Sequence, residues 1–165
     1  MAETLHPFHR SKAPSCINNP YYGFHIDHDV NCVFVKHTNK LTLNLIYDRY
    51  EDIFAHPMMR PNLNYFVDYS ECDNQMVPDD IRNLSKFLVT KQVIRGRGRH
   101  AVLCSNSVGY GYSRMLDSLY NASRQAKKAE IITMIYNAED YVDNEEAIKE
   151  AMIWLGINPD YERPF

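Results

Sequence analysis

The stretch HAVLCSNSVGYGYSRMLDSLY, residues 100–120, limits the fold more than any other part of the chain. Ala101, Val102, Leu103 and Cys104 form a short apolar run, the pattern of a central strand covered on both faces. Ser105, Asn106 and Ser107 then offer N-cap oxygens, and Val108, Tyr112, Met115, Leu116 and Leu119 recur at helical spacing along one stripe. A buried strand, a polar turn and an amphipathic helix make half of an α/β unit. Ligands of open α/β sheets favour the crevice at the carboxyl ends of the strands, so this turn is the first place to seek a site.

The flanking segments extend the pattern. Residues 1–20 carry three prolines among polar residues and show neither strand nor helix period, as expected of a flexible N-terminal arm. Tyr22, Phe24 and Ile26 alternate with Gly23 and His25, HDVN makes a turn, and residues 32–35 form a second apolar run, together a β-hairpin. Asn39 or Thr42 can cap a first helix through Leu43, Ile46, Tyr47, Tyr50, Ile53 and Phe54, which Pro57 ends. A third strand spans 65–69, and residues 70–76 read as a polar loop. Pro78, Asp79 and Asp80 suit the start of a second helix whose buried face is Val77, Ile81, Leu84 and Leu88. RGRGR at 95–99 reads as a solvated turn. Residues 129–136 supply a fifth strand, and the last helix runs from an Asp143 cap to Gly156 as terminator. The predicted order is ββαβαβαβα, a five-stranded mixed sheet packed with four helices, with the domain at 21–156 and a C-terminal tail at 157–165.

Composition narrows the function classes. The chain has 165 residues, 45% apolar and 24% charged, which suits one domain that buries roughly 70% of the surface its unfolded chain exposes. A net charge of −3 gives no general pull toward nucleic acid or anionic lipid, and RGRGR is too short and too poor in interleaved aromatics to suggest otherwise. No apolar run is long enough to span a membrane, and the first 20 residues lack a signal-peptide core, so a cytoplasmic location is expected. Cys16, Cys32, Cys72 and Cys104 form no CxxC pair and read as reduced, mostly buried thiols. His25, Asp27, His28 and Asp29 have turn composition rather than ligand spacing, and His6 and His9 fall in the arm, so neither a metal nor a cofactor is expected.

The order of elements, the hairpin ending near Asp27, the strand end YFVDYS at 65–70, the turn and helix VGYGYSRM at 108–115 and the closing EAIKEAMIWLG at 146–156 resemble the SpoIIAA-like proteins, relatives in fold of the STAS domains. The resemblance spans about residues 22–156. It implies a small α/β domain that acts by binding, without a cofactor, and some relatives in that family are linked to lipid-like ligands. STAS domains of the anti-anti-sigma type carry a phosphorylatable serine at the start of the helix after the third strand. Here that helix start holds Val77, Pro78, Asp79 and Asp80, and Ser70 lies too early to match, so the phosphoswitch does not carry over.

These readings converge on a non-enzymatic binding or regulatory module. It would dock a partner protein or a small, anionic ligand at the strand ends, through Asp68, Tyr69, Ser70, Ser105, Asn106, Ser107, Tyr110 and Arg114. In the sharpest form an anion sits between Asn106, Ser107 and Arg114, with Tyr69 and Tyr110 as walls. The bland alternative has the hydroxyls as helix caps and Arg114 paired with Asp68. A second reading is a carrier of lipid or another apolar molecule, lined by tyrosines and by Met58, Met59, Met115 and Met152. A third is a small hydrolase using strand-end residues. There a Cys/His pair fails, because His100 and Cys104 lie about 13 Å apart along an extended strand. The partner or ligand is not specified by the sequence; the aromatic content is compatible with a homodimer.

Overall fold

The computed structural model describes residues 19–123 and 133–165. Five strands, β1 (Tyr22–Asp27), β2 (Cys32–Leu41), β3 (Asn64–Asn74), β4 (His100–Cys104) and β5 (Thr133–Asn137), form one sheet in the order β1-β2-β3-β4-β5. β1 and β2 are antiparallel, and β2 to β5 are parallel. The helices are α1 (Leu43–Ala55), α2 (Pro78–Thr90), the single turn α3 (Gln92–Arg95), α4 (Ser107–Ser123) and α5 (Asn144–Leu155), with a 3₁₀ turn at Ala138–Asp140. The mixed five-stranded α/β sheet is the expected one; α3 is an added fifth helix. The arm expected at 1–20 lies outside the described residues up to 18. Its last two residues are held on the sheet side, since the Thr38 hydroxyl donates to the Pro20 carbonyl and the Asn19 side chain accepts from the Tyr21 N–H. The first four residues of the strand expected at 129–136 also lie outside.

The two sides of the sheet are covered by different parts of the chain. Strand alternation sends Val33, Val35, Tyr65, Val67 and Val102 to one face, where α1, α2 and α4 lie, and Cys32, Phe34, Phe66, Ala101 and Leu103 to the other. That second face is filled by α5, through Ala147, Ile148, Ala151, Met152 and Leu155, and by the tail. The tail is docked: Tyr161 stacks on Phe34 at 5.4 Å between centroids, its hydroxyl donates to Asp27, and Arg163 pairs with Glu145. Caps appear where the sequence placed them. Thr42, not Asn39, accepts from Leu45 N–H for α1, Asp143 accepts from Glu146 N–H for α5, and Gly156 takes the left-handed conformation that ends α5.

Three expectations are corrected. β2 and β3 run past their apolar stretches through KHTNKL and SECDN, pairing with each other as far as Leu41 and Asn74, so 70–76 is mostly strand rather than loop. Val77 is exposed and leaves the buried face of α2 to Ile81, Leu84 and Leu88; its N–H donates to Asp80. RGRGR is only in part a solvated turn. Arg97 and Arg99 are exposed, but Arg95 is buried, Arg99 donates to the Trp154 carbonyl and lies over its ring, and Gly96 has φ +70°.

Gly98 explains why that run is glycine-rich, because a Cβ there would stand 1.7 Å from the Leu63 carbonyl oxygen. Backbone cannot give way by that amount, so Gly98→Ala should lose at least about 2 kcal/mol of stability. Gly111, in mid-α4, has nothing within 4 Å of such a Cβ, and Gly111→Ala should gain about 0.5–1 kcal/mol. Urea unfolding of the two variants checks the pair; a mild effect at 98 would mean that the 96–99 turn is loosely held.

Candidate functional site: a cleft under the fourth helix

The residues of α4 nearest the sheet are Gly109, Tyr112, Ser113, Leu116, Asp117 and Tyr120, one stripe at three- and four-residue spacing. Only Tyr120 is fully buried. The rest of the stripe is half-buried, and two small adjoining hollows, together a narrow cleft, lie between it, α2 and the sheet. Toward the carboxyl ends of the strands the cleft is a small hollow open to solvent, lined by Leu41, Ile46, Tyr69, Cys72, Asn74, Met76, Ile81, Leu84, Cys104 and Ser105. Adjoining it at Tyr69, Leu84, Ser113 and Leu116 is a second small hollow, lined also by Tyr50, Val67, Leu88, Arg95, His100, Val102, Thr133 and Ile135. Residues 67 and 69, 100, 102 and 104, and 133 and 135 are alternate positions, which is how three neighbouring strands present one continuous floor.

A bulge in β3 shapes this floor. Lys36 stands opposite Asp68 and Thr38 opposite Glu71, so β3 carries one residue more than β2 over that interval. The extra residue shifts the alternation, and Cys72 rather than Glu71 follows Tyr69 into the cleft. Glu71 returns to the opposite side with Asp68, where Lys36 lies 2.7 Å from Glu71 and 3.9 Å from Asp68.

Behind Tyr69 the interior is polar. Arg49 of α1 is fully buried; its Nη1 donates to the Tyr69 hydroxyl at 2.9 Å and to His37 Nε2 at 3.3 Å, and its guanidinium lies 4.2 Å from the Tyr50 ring centroid. Arg49 Nε and His37 Nδ1 have no partner among the described residues. Further along, Arg95 Nε donates to His100 Nε2 at 2.8 Å, and the Arg95 guanidinium lies 4.9 Å from the Tyr120 ring centroid. His100 also stacks on Tyr65 at 4.5 Å. Burial, then the charges of Arg95 and Arg49, hold His100 neutral far below the usual histidine range; burial, then Arg49, does the same to His37.

The expected site residues divide. Tyr69 and Ser105 line the cleft, and the Ser105 hydroxyl donates to the Cys72 carbonyl. Asn106 caps α4 by accepting from Gly109 N–H at 3.0 Å. Ser107 gives both its N–H, at 3.0 Å, and its hydroxyl, at 2.9 Å, to the Glu139 carboxylate, which these bonds hold below its usual pKa. An anion does sit at the helix start, and the chain supplies it. Asp68 lies on the far face with Lys36 and not beside Arg114; its carboxylate accepts from Ser70 N–H. Arg114 is exposed, and Tyr110 is half-buried. Of the methionines expected around a cavity, Met152 belongs to the α5 core and Met58 and Met59 to the packing under α1, while the cleft takes Met76. Sequence reasoning weighed His100 only as a partner for Cys104 and Arg95 only as part of a solvated run, and it passed over Arg49 and His37; the signal available was an arginine amid the apolar stripe of α1.

The thiols among the described residues offer no activated nucleophile. Cys32, Cys72 and Cys104 are free and buried, and burial pushes Cys104 up to about 11 and Cys72 up to about 12. Cys104 Sγ lies 3.2 Å from Ser113 Oγ, with His100 engaged by Arg95 at the other end of β4. Among the described residues no group of three or more His, Cys, Asp or Glu side chains could hold a metal ion, and no helix is long and apolar enough to cross a membrane. No family model, curated protein or solved structure matches this chain.

The neutral histidines carry a pH signature. In the unfolded chain His37 and His100 take up protons near pH 6.5, whereas in the folded protein they resist, so their contribution is complete above that pH and is lost as the pH falls below it. Each costs up to about 1.4 kcal/mol per pH unit until its folded pKa is reached. Urea midpoints at pH 7.5 and 5.5 should show the decline, and His100→Gln, which keeps an acceptor for Arg95, should make it shallower. Equal slopes for the two proteins would place the titration elsewhere.

Proposed function

We propose that this protein is a non-enzymatic binding domain that takes a small, largely apolar ligand into the cleft between α2, α4 and the sheet, entering at the carboxyl ends of the strands. The observation that carries this reading is the incomplete closure of α4. Its cleft-lining residues Tyr112, Ser113, Leu116 and Asp117 are half-buried, while α5 on the other face is sealed by five buried side chains. A helix that leaves an apolar floor uncovered sacrifices stabilisation of about 25 cal/mol per Å², which a ligand recovers on binding. Apolar side chains dominate the lining, and the charged groups Arg95 and Asp117 both lie in the hollow away from the mouth, a layout that suits a small-molecule site. This joins the small-ligand and carrier readings of the sequence. It departs from the surface turn at Ser107, which Glu139 fills, and the lack of a thiolate or a base beside Cys104 and Ser113 disfavours the hydrolase reading.

Ser113 borders both hollows, so a large side chain there should block the cleft. Native mass spectrometry of protein purified from its own host should show a copurified small molecule on the wild type, released on denaturation. The adduct should be absent from Ser113→Phe and unchanged in Arg114→Ala, whose side chain is exposed one position away. An adduct that survives Ser113→Phe in a folded protein would contradict this site.

A further inference from the structure

We propose that the ligand of this cleft is an acidic amphiphile, whose oxyanion, a carboxylate or a phosphate, is met by the buried Arg95 while its apolar chain lies along the cleft toward Cys104. This rests on the binding function just proposed and names the chemical class of the ligand. Arg95 is 5% exposed, and it borders the hollow under Tyr120. Its Nε is engaged by His100, and no acceptor among the described residues takes its Nη groups. Arg49 stands behind Tyr69 and Tyr50, which wall the same hollow. Neither guanidinium has a carboxylate within 4 Å among the described residues; the ion pairs there are formed by other residues.

Charge taken out of water without a counter-ion is costly, and folded chains normally pair it. Here the neighbours are neutral: two histidines and the Tyr50, Tyr69 and Tyr120 rings. The one acidic side chain in the lining is Asp117, whose Oδ1 accepts from the Asn121 amide. The lining itself carries one guanidinium and one carboxylate, Arg95 and Asp117, both in the hollow away from the mouth, and Arg49 adds a second positive charge behind the tyrosine wall. A guanidinium with free Nη groups suits a carboxylate or phosphate, which it grips through parallel N–H···O bonds. The remainder of the cleft, formed by Leu84, Leu116, Ile81 and Met76, suits an unbranched apolar chain.

The test is calorimetric titration of the full chain with dodecanoate, dodecyl phosphate and dodecanol, each below its micellar concentration. Wild-type protein should bind at least one of the acids about tenfold or more tightly than the alcohol, the gain of a charge-assisted hydrogen bond. Which acid binds tighter tells a carboxylate from a phosphate ligand. Arg95→Gln should bring acid and alcohol to within about threefold, and Arg95→Lys, which keeps the charge, should retain the preference for acid. If dodecanol binds the wild type as well as both acids, the acid class is wrong while the binding cleft stands. If none of the three binds, the binding reading falls and this inference with it. An undiminished acid preference in folded Arg95→Gln would remove Arg95 as the anchor.

Discussion

The handedness of β-strand crossovers is the constraint that sets the layout of this protein. Four parallel strands added one after another in the same direction place every connecting helix on the same side of the sheet when each crossover is right-handed. α1, α2 and α4 therefore crowd one face, and the other face is left to the chain beyond β5, namely α5 and the tail. The two faces meet different fates. α5 lies on a floor of Cys32, Phe34, Phe66, Ala101 and Leu103 and seals it. On the crowded face α2 and α4 pack against each other as well as on the sheet, and most of the inward stripe of α4 stays half-buried.

Charge placement deepens this asymmetry. Asp68, by plain alternation, and Glu71, through the bulge, face Lys36 on the α5 side, and Glu139 is spent on the start of α4. Arg49 and Arg95 go the other way, into the crowded face, where histidines and tyrosines receive them. His37 and His100 can do so only as neutral imidazoles, so the interior accepts the guanidiniums at the cost of making both histidines resist protonation. Folding and the proposed binding are linked in this way, since the groups that hold Arg49 and Arg95 in place also line or border the cleft.

Periodicity made most of the fold legible in the sequence. The apolar runs at Val33–Val35 and Ala101–Leu103, the stripe of α1 and the caps at Thr42 and Asp143 each carry a local signal of known period or chemistry. The polar extensions of β2 and β3 carried none, because their backbone groups are satisfied by each other and not by a pattern of buried side chains. The bulge was equally silent: one extra residue changes which of Glu71 and Cys72 faces inward without altering composition. Of the candidates read from the sequence, Tyr69 and Ser105 line the cleft at the carboxyl ends of the strands. The sequence reading missed the anion already at Ser107, because Glu139 lies 32 residues away and meets the turn only through the β4–β5 pairing. Arg95 was hidden by its neighbours, as an RGRGR run looks solvated until Gly98 is seen pressed on Leu63.

Ligand entry into the cleft beneath α4 is the central claim, and methyl-group NMR reads that location directly. With the leucine, isoleucine and valine methyls labelled and dodecanoate added, the signals of Leu84, Leu116, Val102 and Ile135 should shift together, while those of Ile148, Leu155 and Ile157 under α5 stay in place. Shifts centred on the α5 face, or spread evenly over both faces, would contradict it.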